Sequence, residues 1–238
     1  MTEYANDNTA PTALITGASR GFGRALARGL GERGWRVVLT ARHAPALTAV
    51  AQQLPDAVAV AGDVTDPLHR EALTAAVEVL GGLDLLVNNA SDLGPSPLPP
   101  LAEYPLHALR RVYETNVIAP VALVQLLLPA LAAATGTVVN VSSDAAVEAY
   151  AGWGGYGSSK AALDQVGRVL ATEQPALRSY GFDPGDMRTD MHQLAFPGED
   201  ISDRPEPETV VPALLRLLDE RPPSGRYRAA DFAAVVNP

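Results

Sequence analysis

Short runs of apolar residues, many of them β-branched, alternate along the chain with longer segments rich in alanine, leucine and arginine. The short runs lack alternating polar residues, which is typical of parallel strands that helices cover on both faces. The longer segments repeat their apolar residues with helical period. The pattern predicts strands at 12–16, 36–40, 57–61, 83–88 and 137–142, and helices at 22–33, 44–54, 67–80, 106–133, 157–173 and 208–220.

This order of elements predicts an α/β fold, a doubly wound Rossmann-type parallel sheet flanked by helices on both faces. A length of 238 residues suits a single domain. We expect residues 1–12 to form a flexible N-terminal tail and residues 13–238 to form the domain. The proline-rich segments 94–100 and 196–207 follow strand ends, where open α/β sheets bind ligands, and 187–207 has the length of a substrate lid.

The composition narrows the possible partners. A net charge of −9 and a pI near 4.9 exclude a nucleic-acid partner, which requires a basic face. Cysteine is absent and the four histidines are scattered, so no metal site is expected. Because no apolar run reaches the length of a bilayer and the first residues do not resemble a secretory signal, we expect no membrane association and a cytoplasmic location.

A glycine-rich turn follows the first predicted strand and leads directly into a helix. Glycines let a pyrophosphate lie against bare backbone at a helix N-terminus, where unpaired N–H groups and the helix dipole neutralise it. A turn alone requires glycine for geometric reasons, but this one opens the first βα unit, which favours nucleotide binding. The candidate nucleotide-binding residues of the turn are Gly17, Ser19, Arg20, Gly21, Phe22 and Gly23.

The end of the second predicted strand indicates the type of nucleotide. A free ribose 2′-hydroxyl favours a carboxylate there, whereas a 2′-phosphate favours cations. This strand ends at Ala41 and Arg42 without an acid, and Arg20 can reach the same phosphate, so the pattern favours NADP(H). Asp63, followed by Val64, ends the third strand and either accepts a hydrogen bond from an adenine amino group or caps the next turn.

A second constellation lies further along the chain. Spacing of four residues places Tyr156 and Lys160 on one face of a helix, where the ammonium would lower the pKa of the phenol and create a general acid/base. Ser143 closes the fifth strand at the same sheet edge and can hydrogen-bond a carbonyl oxygen. Asn116 lies in an apolar helix and either leads through a water to Lys160, ties the helix to a strand, or does both.

These residues, in this order, resemble the single-domain, NADP-preferring branch of the short-chain dehydrogenase/reductase family from about residue 12 to residue 230. The family's TGxxxGxG turn and YxxxK pair are present, and so are the helix asparagine and the strand-five serine. Its remaining two motifs match Asn88, Asn89 and Ala90 in one case and Pro184, Gly185 and Thr189 in the other.

The resemblance implies roles for these positions. Tyr156 would donate the proton, Lys160 would also hold the nicotinamide ribose, and Ser143 would orient the carbonyl. Asn116 would position a relay water. The cofactor would further contact Asp63, Val64, Asn89, Ala90, Pro184, Gly185, Met187 and Thr189.

Two departures from the family pattern stand out. Ser91 replaces the glycine that usually follows the asparagine pair. Segment 177–183 contains Arg178 and Ser179, which are poor residues for a strand buried on both faces, so we expect a short or shifted sixth strand and a displaced turn at Pro184.

The expected function is an NADP(H)-dependent oxidoreductase that interconverts a carbonyl and a secondary alcohol. The alternatives are epimerisation, dehydration or cyclisation on the same scaffold, or a non-catalytic NADP(H)-binding regulator. A pocket rimmed by apolar and aromatic residues, without a cation cluster, disfavours a strongly anionic substrate. Its candidate substrate residues are Ser143, Ala145, Tyr150, Trp153, His192 and Phe196.

Two predicted helices carry apolar residues beyond the face that a sheet would cover, so we expect a homodimer or homotetramer. These residues are Val117, Val121, Val124 and Leu128 in the first helix and Ala161, Val166, Val169 and Leu170 in the second.

Overall fold

The computed structural model describes residues 10–232. Within this range seven parallel strands form one sheet in the order β3-β2-β1-β4-β5-β6-β7, which confirms the predicted doubly wound fold. The strands are β1 (Thr12–Thr16), β2 (Arg36–Ala41), β3 (Ala57–Ala61), β4 (Leu85–Asn88), β5 (Thr137–Val141), β6 (Arg178–Asp183) and β7 (Gly225–Arg228).

Helices connect these strands, and most lie where the apolar period predicted them. The predicted helix 106–133 is interrupted by one π-helical turn, Glu114–Ile118. The helices are α1 (Gly21–Glu32), α2 (Ala44–Ala51), α3 (Pro67–Val79), α4 (Leu106–Tyr113), α5 (Ala119–Ala133), α6 (Gly154–Glu173), α7 (Asp190–Ala195) and α8 (Pro207–Glu220).

The sheet has a hydrophobic core on each face because neighbouring strand residues point in opposite directions. In β1, Ala13 and Ile15 pack with α1, α2 and α8, whereas Leu14 packs with α3, α5 and α6. All three side chains are fully buried. Chain order reverses between β1 and β4, so the loops after these strands diverge and leave a crevice at the carboxyl edge of the sheet.

The sixth strand corrects one expectation. β6 is six residues long, pairs with both β5 and β7, and places Asp183 at its end, so it is neither short nor shifted. Ser179 is buried, and its hydroxyl has no hydrogen-bond partner among the described residues, whereas its backbone N–H donates to Ser224 Oγ at 3.1 Å. A Cβ on Gly167 of α6 would lie only 3.3 Å from Ser179 Oγ, so a small helix residue leaves room for a small polar strand residue.

The N-terminal boundary also differs slightly from the prediction. Residues 1–9 lie outside the described residues. Thr12, which the predicted tail included, is the first residue of β1, and its N–H donates to Asp84 Oδ2 at 2.8 Å. The ordered chain therefore begins before residue 13.

The helical stretch Leu106–Ala133 corrects another expectation. With a mean hydropathy of 1.9 in its most apolar window, it is long and apolar enough to cross a membrane, although the sequence analysis found no such run. Leu123, Leu127 and Leu131 on one side of it are buried in the core against the sheet. Its inward face is therefore explained by packing within the domain.

Candidate active site

A cavity of about 570 Å³ follows the carboxyl edge of the sheet from the turn after β1 to α6 and α7. It thus occupies the crevice where open α/β sheets bind ligands. All the predicted cofactor-binding residues except Gly23 line it, namely Gly17, Ser19, Arg20, Gly21, Phe22, Arg42, Asp63, Val64, Asn89, Ala90, Tyr156, Lys160, Pro184, Gly185, Met187 and Thr189.

The glycine turn after β1 is held in place by Asn89. The Asn89 side chain donates to Thr16 O at 2.8 Å and to Gly17 O at 3.2 Å. Gly17 has a φ of 68°, which L side chains rarely adopt, and a Cβ on Gly23 would lie 2.5 Å from Asn89 Nδ2. Gly23 therefore acts behind the cavity wall, by letting α1 approach the asparagine.

The start of α1 suits an anion. No side chain caps its first N–H groups, because the residue before it is Arg20 and makes no capping bond. Uncapped N–H groups and the helix dipole together attract a negatively charged group.

Three charged residues surround the end of the cavity near β2 and β3. Arg42 is exposed on its wall, while Arg20 forms an exposed ion pair with Asp190 of α7 at 2.9 Å. Asp63 accepts hydrogen bonds from the backbone and side chain of Thr65, so it caps the turn that follows β3. Although burial raises the pKa of Asp63, these bonds and the nearby Arg42 lower it overall.

Tyr156 and Lys160 lie one turn apart near the start of α6, and both side chains are buried. Lys160 Nζ donates to Val141 O at 2.7 Å and lies 5.5 Å from the centre of the Tyr156 ring. Tyr156 lines the cavity together with Ser143 and Ser91. The structure thus brings together the predicted tyrosine, lysine and serine.

The electrostatics of this pair correct the expected effect of the lysine. Burial raises the pKa of Tyr156 above its ordinary value, the neighbouring hydroxyls of Ser143 and Ser91 lower it, and Asp183 and Asp144 raise it. Burial also lowers the pKa of Lys160 to about 8. Burial of the phenol therefore changes its pKa more than the Lys160 ammonium does, since that ammonium points to Val141 O. Tyr156 keeps its proton at neutral pH.

Asn116 lies in the π-helical turn and is fully buried. Its side chain donates to Asp92 O and to Ser159 Oγ, both at 2.9 Å, and accepts from Asp92 N at 2.7 Å. It therefore ties its helix to the loop after β4 and to α6, whereas the sequence analysis expected such a tie to reach a strand.

Comparison with known proteins identifies the family. The sequence model of the family described as short chain dehydrogenase matches residues 11–200. The chain belongs to this family. It is 38% identical over 184 residues to serine 3-dehydrogenase of Agrobacterium fabrum, covering 75% of this chain and 73% of that protein. It is 33% identical over 237 residues to sepiapterin reductase of Xenopus tropicalis, covering 90% and 84% respectively.

Solved structures of short-chain dehydrogenases agree with this assignment. A short-chain dehydrogenase from Pseudomonas syringae superposes with a TM-score of 0.87 at 33% identity, covering 92% of this chain and 94% of that one. One from Shigella flexneri, in complex with NADP, superposes with a TM-score of 0.85 at 31% identity, covering 92% and 97%.

The predicted substrate residues of this short-chain dehydrogenase divide into two groups. Ser143, Trp153 and His192 line the cavity, and Phe196 packs behind them, with ring centroids 6.0 Å from Trp153 and 4.9 Å from His192. Ala145 and Tyr150 do not line it. Ala145 packs in a small apolar cluster, and Tyr150 is exposed, with its hydroxyl against Asp144 and Glu148.

The loop after β4 and helix α7, which lie at the end of the cavity next to Trp153 and His192, are joined to each other. Ser96 Oγ in the loop after β4 donates to Leu194 O of α7 at 2.6 Å. Helix α7 lies inside the predicted lid 187–207, and Arg188 N donates to Pro205 O at 2.8 Å, which closes this segment on itself.

Sequence reasoning missed one side chain that connects several elements beneath the site. Arg226 of β7 donates to Asp183 Oδ2 at 2.7 Å, to Ser143 O at 2.9 Å and to Asp164 Oδ2 at 3.2 Å. Asp164 also accepts from Ser142 Oγ at 2.9 Å. One guanidinium therefore joins the ends of β5 and β6 to α6. The only available signal, an arginine in a short polar segment, does not distinguish it from a surface residue.

Proposed function

We propose that this protein is an NADP(H)-dependent oxidoreductase that interconverts a carbonyl group and a secondary alcohol. The observation that carries the proposal is geometric: the buried phenol of Tyr156 lines the cavity beside Ser143, with Lys160 Nζ 5.5 Å from the centre of its ring. A protein that only binds a nucleotide does not need such a group. The names of the relatives, serine 3-dehydrogenase and sepiapterin reductase, support a redox reaction.

The chemistry of the cavity fits NADP(H). The uncapped start of α1 beside Gly17 and Gly21 suits the pyrophosphate, and Arg42 with Arg20 supplies cations for a 2′-phosphate. Strand β2 ends at Ala41, so no carboxylate there competes for the ribose. The similarity to a protein solved with NADP supports the same choice.

The remaining cavity residues would hold the other parts of the cofactor. Asp63 and Val64 would flank the adenine, and Lys160 would bind the nicotinamide ribose. Asn89, Ala90, Pro184, Gly185, Met187 and Thr189 would surround the nicotinamide end.

The proposed proton-transfer roles follow from the positions of the Tyr156, Ser143 and Asn116 side chains. A nicotinamide cofactor supplies the hydride when it is bound. Tyr156 holds its proton at neutral pH and donates it to the carbonyl oxygen, which becomes the alcohol oxygen. Ser143 shares its hydroxyl with the same oxygen and fixes its position. Asn116 would position a relay water while it holds α6 and the loop after β4 together.

The substrate end of the cavity favours an uncharged carbonyl compound with an apolar or aromatic group. Trp153 and His192 form one wall, and the carboxylates of Asp92, Asp144 and Asp186 also line the cavity. We expect NADPH-dependent reduction of neutral aryl and alkyl ketones, with kcat/KM at least about tenfold above that for the corresponding keto acids. Absorbance of NADPH measures the rates. Absence of turnover on every ketone would contradict the proposed reaction.

Cofactor preference gives a second prediction. Arg42→Ala should weaken NADPH binding by about 1–3 kcal/mol and leave NADH binding nearly unchanged, because the guanidinium would bind the 2′-phosphate that NADH lacks. Arg33→Ala is the matched control, since Arg33 is an exposed arginine whose partner is Asp219. Fluorescence titration measures both affinities. Equal affinity of the unmodified protein for NADPH and NADH would overturn the NADP assignment.

We also propose a homodimer or homotetramer that buries the outer faces of α5 and α6. Val117 and Leu170 are buried within the chain and therefore cannot belong to the predicted interface. Val169 is 43% exposed, and Ile118, which follows Val117, is 49% exposed. A monomeric mass by light scattering at micromolar concentration would contradict this proposal. Val169→Glu should shift the mass towards the monomer, because it places a charge in an apolar interface.

A further inference from the structure

Ser91 lies in the loop after β4, directly after Asn89 and Ala90, at the position where the family pattern has glycine. Its side chain is half-buried and lines the same cavity as Tyr156. The proposed reaction assigns it no role. A hydroxyl at this point therefore needs its own explanation.

Asn116 fixes the orientation of this hydroxyl. Ser91 Oγ donates to Asn116 Oδ1 at 3.2 Å, and the same oxygen accepts the N–H of Asp92 at 2.7 Å. The amide nitrogen is committed to Asp92 O and Ser159 Oγ, so the amide cannot turn over. Ser91 also lines the cavity beside Tyr156, where its hydroxyl is one of the groups that lower the pKa of the phenol.

From these contacts we infer that Ser91 is a positioning residue for proton transfer, a hydroxyl that links the Asn116 amide to the Tyr156 phenol. A serine hydroxyl has one proton and two lone pairs. While Tyr156 is protonated, its O–H donates to Ser91 Oγ and the serine donates to Asn116 Oδ1. This arrangement holds the phenol oxygen at a fixed point in the cavity.

The same hydroxyl can respond when the phenol loses its proton. In the proposed reduction the proton moves from Tyr156 Oη to the carbonyl oxygen and leaves a phenolate. The Ser91 O–H then rotates from Asn116 Oδ1 to the phenolate oxygen. Asn116 Oδ1 keeps the N–H of Asp92 as a donor, so the rotation leaves no buried acceptor unpaired. A hydrogen bond to the charged form stabilises that form.

Other charged groups face Tyr156 and are unchanged by substitution of Ser91. Lys160 comes from the same helix, Asp144 from the turn after β5 and Asp183 from the end of β6. Asp183 is paired with Arg226. A change in the pH profile on removal of the Ser91 hydroxyl therefore reports the hydrogen bond.

The inference rests on the proposed function and is tested with Ser91→Ala and Ser91→Gly. Both should lower kcat for alcohol oxidation, in which Tyr156 acts as base, by about 10- to 100-fold. The pH at which this rate rises should move about one to two units higher, because the phenolate loses a hydrogen bond. Ser91→Thr keeps a hydroxyl and should restore both. Ser158→Ala, which removes an exposed hydroxyl bonded only to Gly155 O, should behave as wild type.

A readout without turnover accompanies the kinetics. With ¹³C-labelled tyrosine, the Cζ resonance that disappears in Tyr156→Phe should shift in Ser91→Ala and stay in place in Ser158→Ala. An active wild type whose resonance, rate and pH profile are all unchanged in Ser91→Ala would overturn the inference. A wild type that turns over no alcohol or ketone would instead overturn the proposed function, and the resonance would still test the hydrogen bond.

Discussion

Tyr156→Phe should reduce turnover by about 10²- to 10⁴-fold, the range typical of losing a general acid, while NADPH affinity and thermal stability stay close to wild type. The substitution keeps the ring that packs at 5.7 Å against Trp153 and removes only the ionisable oxygen. Tyr150→Phe is the matched control. It removes an exposed tyrosine hydroxyl outside the cavity and should change turnover by less than about twofold.

Two companion variants separate the roles around the phenol. Lys160→Met should weaken NADPH binding as well as turnover, because the ammonium is assigned to the ribose and to the proton donor. Ser143→Ala should lower turnover with nearly unchanged cofactor affinity, because its partner is the substrate oxygen. A Tyr156→Phe enzyme with wild-type turnover and intact binding would remove this mechanism and favour an epimerase-like or regulatory function on the same fold.

The second large effect concerns stability. Arg226→Met should lower the free energy of unfolding by about 3–5 kcal/mol, because it leaves Asp164 and Asp183 without their shared cation, and the side chains of both are only 6% exposed. Chemical denaturation measures the change. Arg228→Met, two residues away in the same strand, removes an arginine that is 64% exposed and paired with Asp231, and should leave the free energy of unfolding close to that of the wild type.

Arg226→Lys refines this prediction. An ammonium cannot form the planar fork that contacts Asp164, Asp183 and Ser143 O together, so its stability should lie between those of the wild type and Arg226→Met. Equal stability of Arg226→Met and Arg228→Met would show that the buried ion pairs contribute little to the fold.

The predictable part of the fold is the part that local pattern determines. The apolar runs placed β1 to β5 within two residues of their observed ends. Four of these strands are largely buried, and β3 at the edge of the sheet keeps the same apolar run although Ala59 and Ala61 are exposed. The same rule failed for β6, where burial of Ser179 depends on Gly167 in a helix that packs above it. β7 was missed because a four-residue edge strand with two arginines has no strand pattern.

The candidate site was also predictable only where local spacing determines it. Spacing along one helix predicted that Tyr156 and Lys160 would lie together. It could not predict that Lys160 donates to Val141 O, or that burial keeps Tyr156 protonated, because both depend on the surrounding fold. The contact between Ser91 and Asn116 joins residues that lie 25 positions apart and follows only from the three-dimensional arrangement.

The hydrogen bond from Ser96 to Leu194 bears on how substrate specificity can be redesigned. The two segments that enclose the substrate end are separated by 98 positions in the chain, yet each supplies one half of a shared contact. If the loop after β4 were replaced by that of a relative and α7 were kept, the new loop would lose the hydrogen-bond partner that fixes its conformation. Recombination libraries for this enzyme should therefore take the loop after β4 and helix α7 from the same parent sequence.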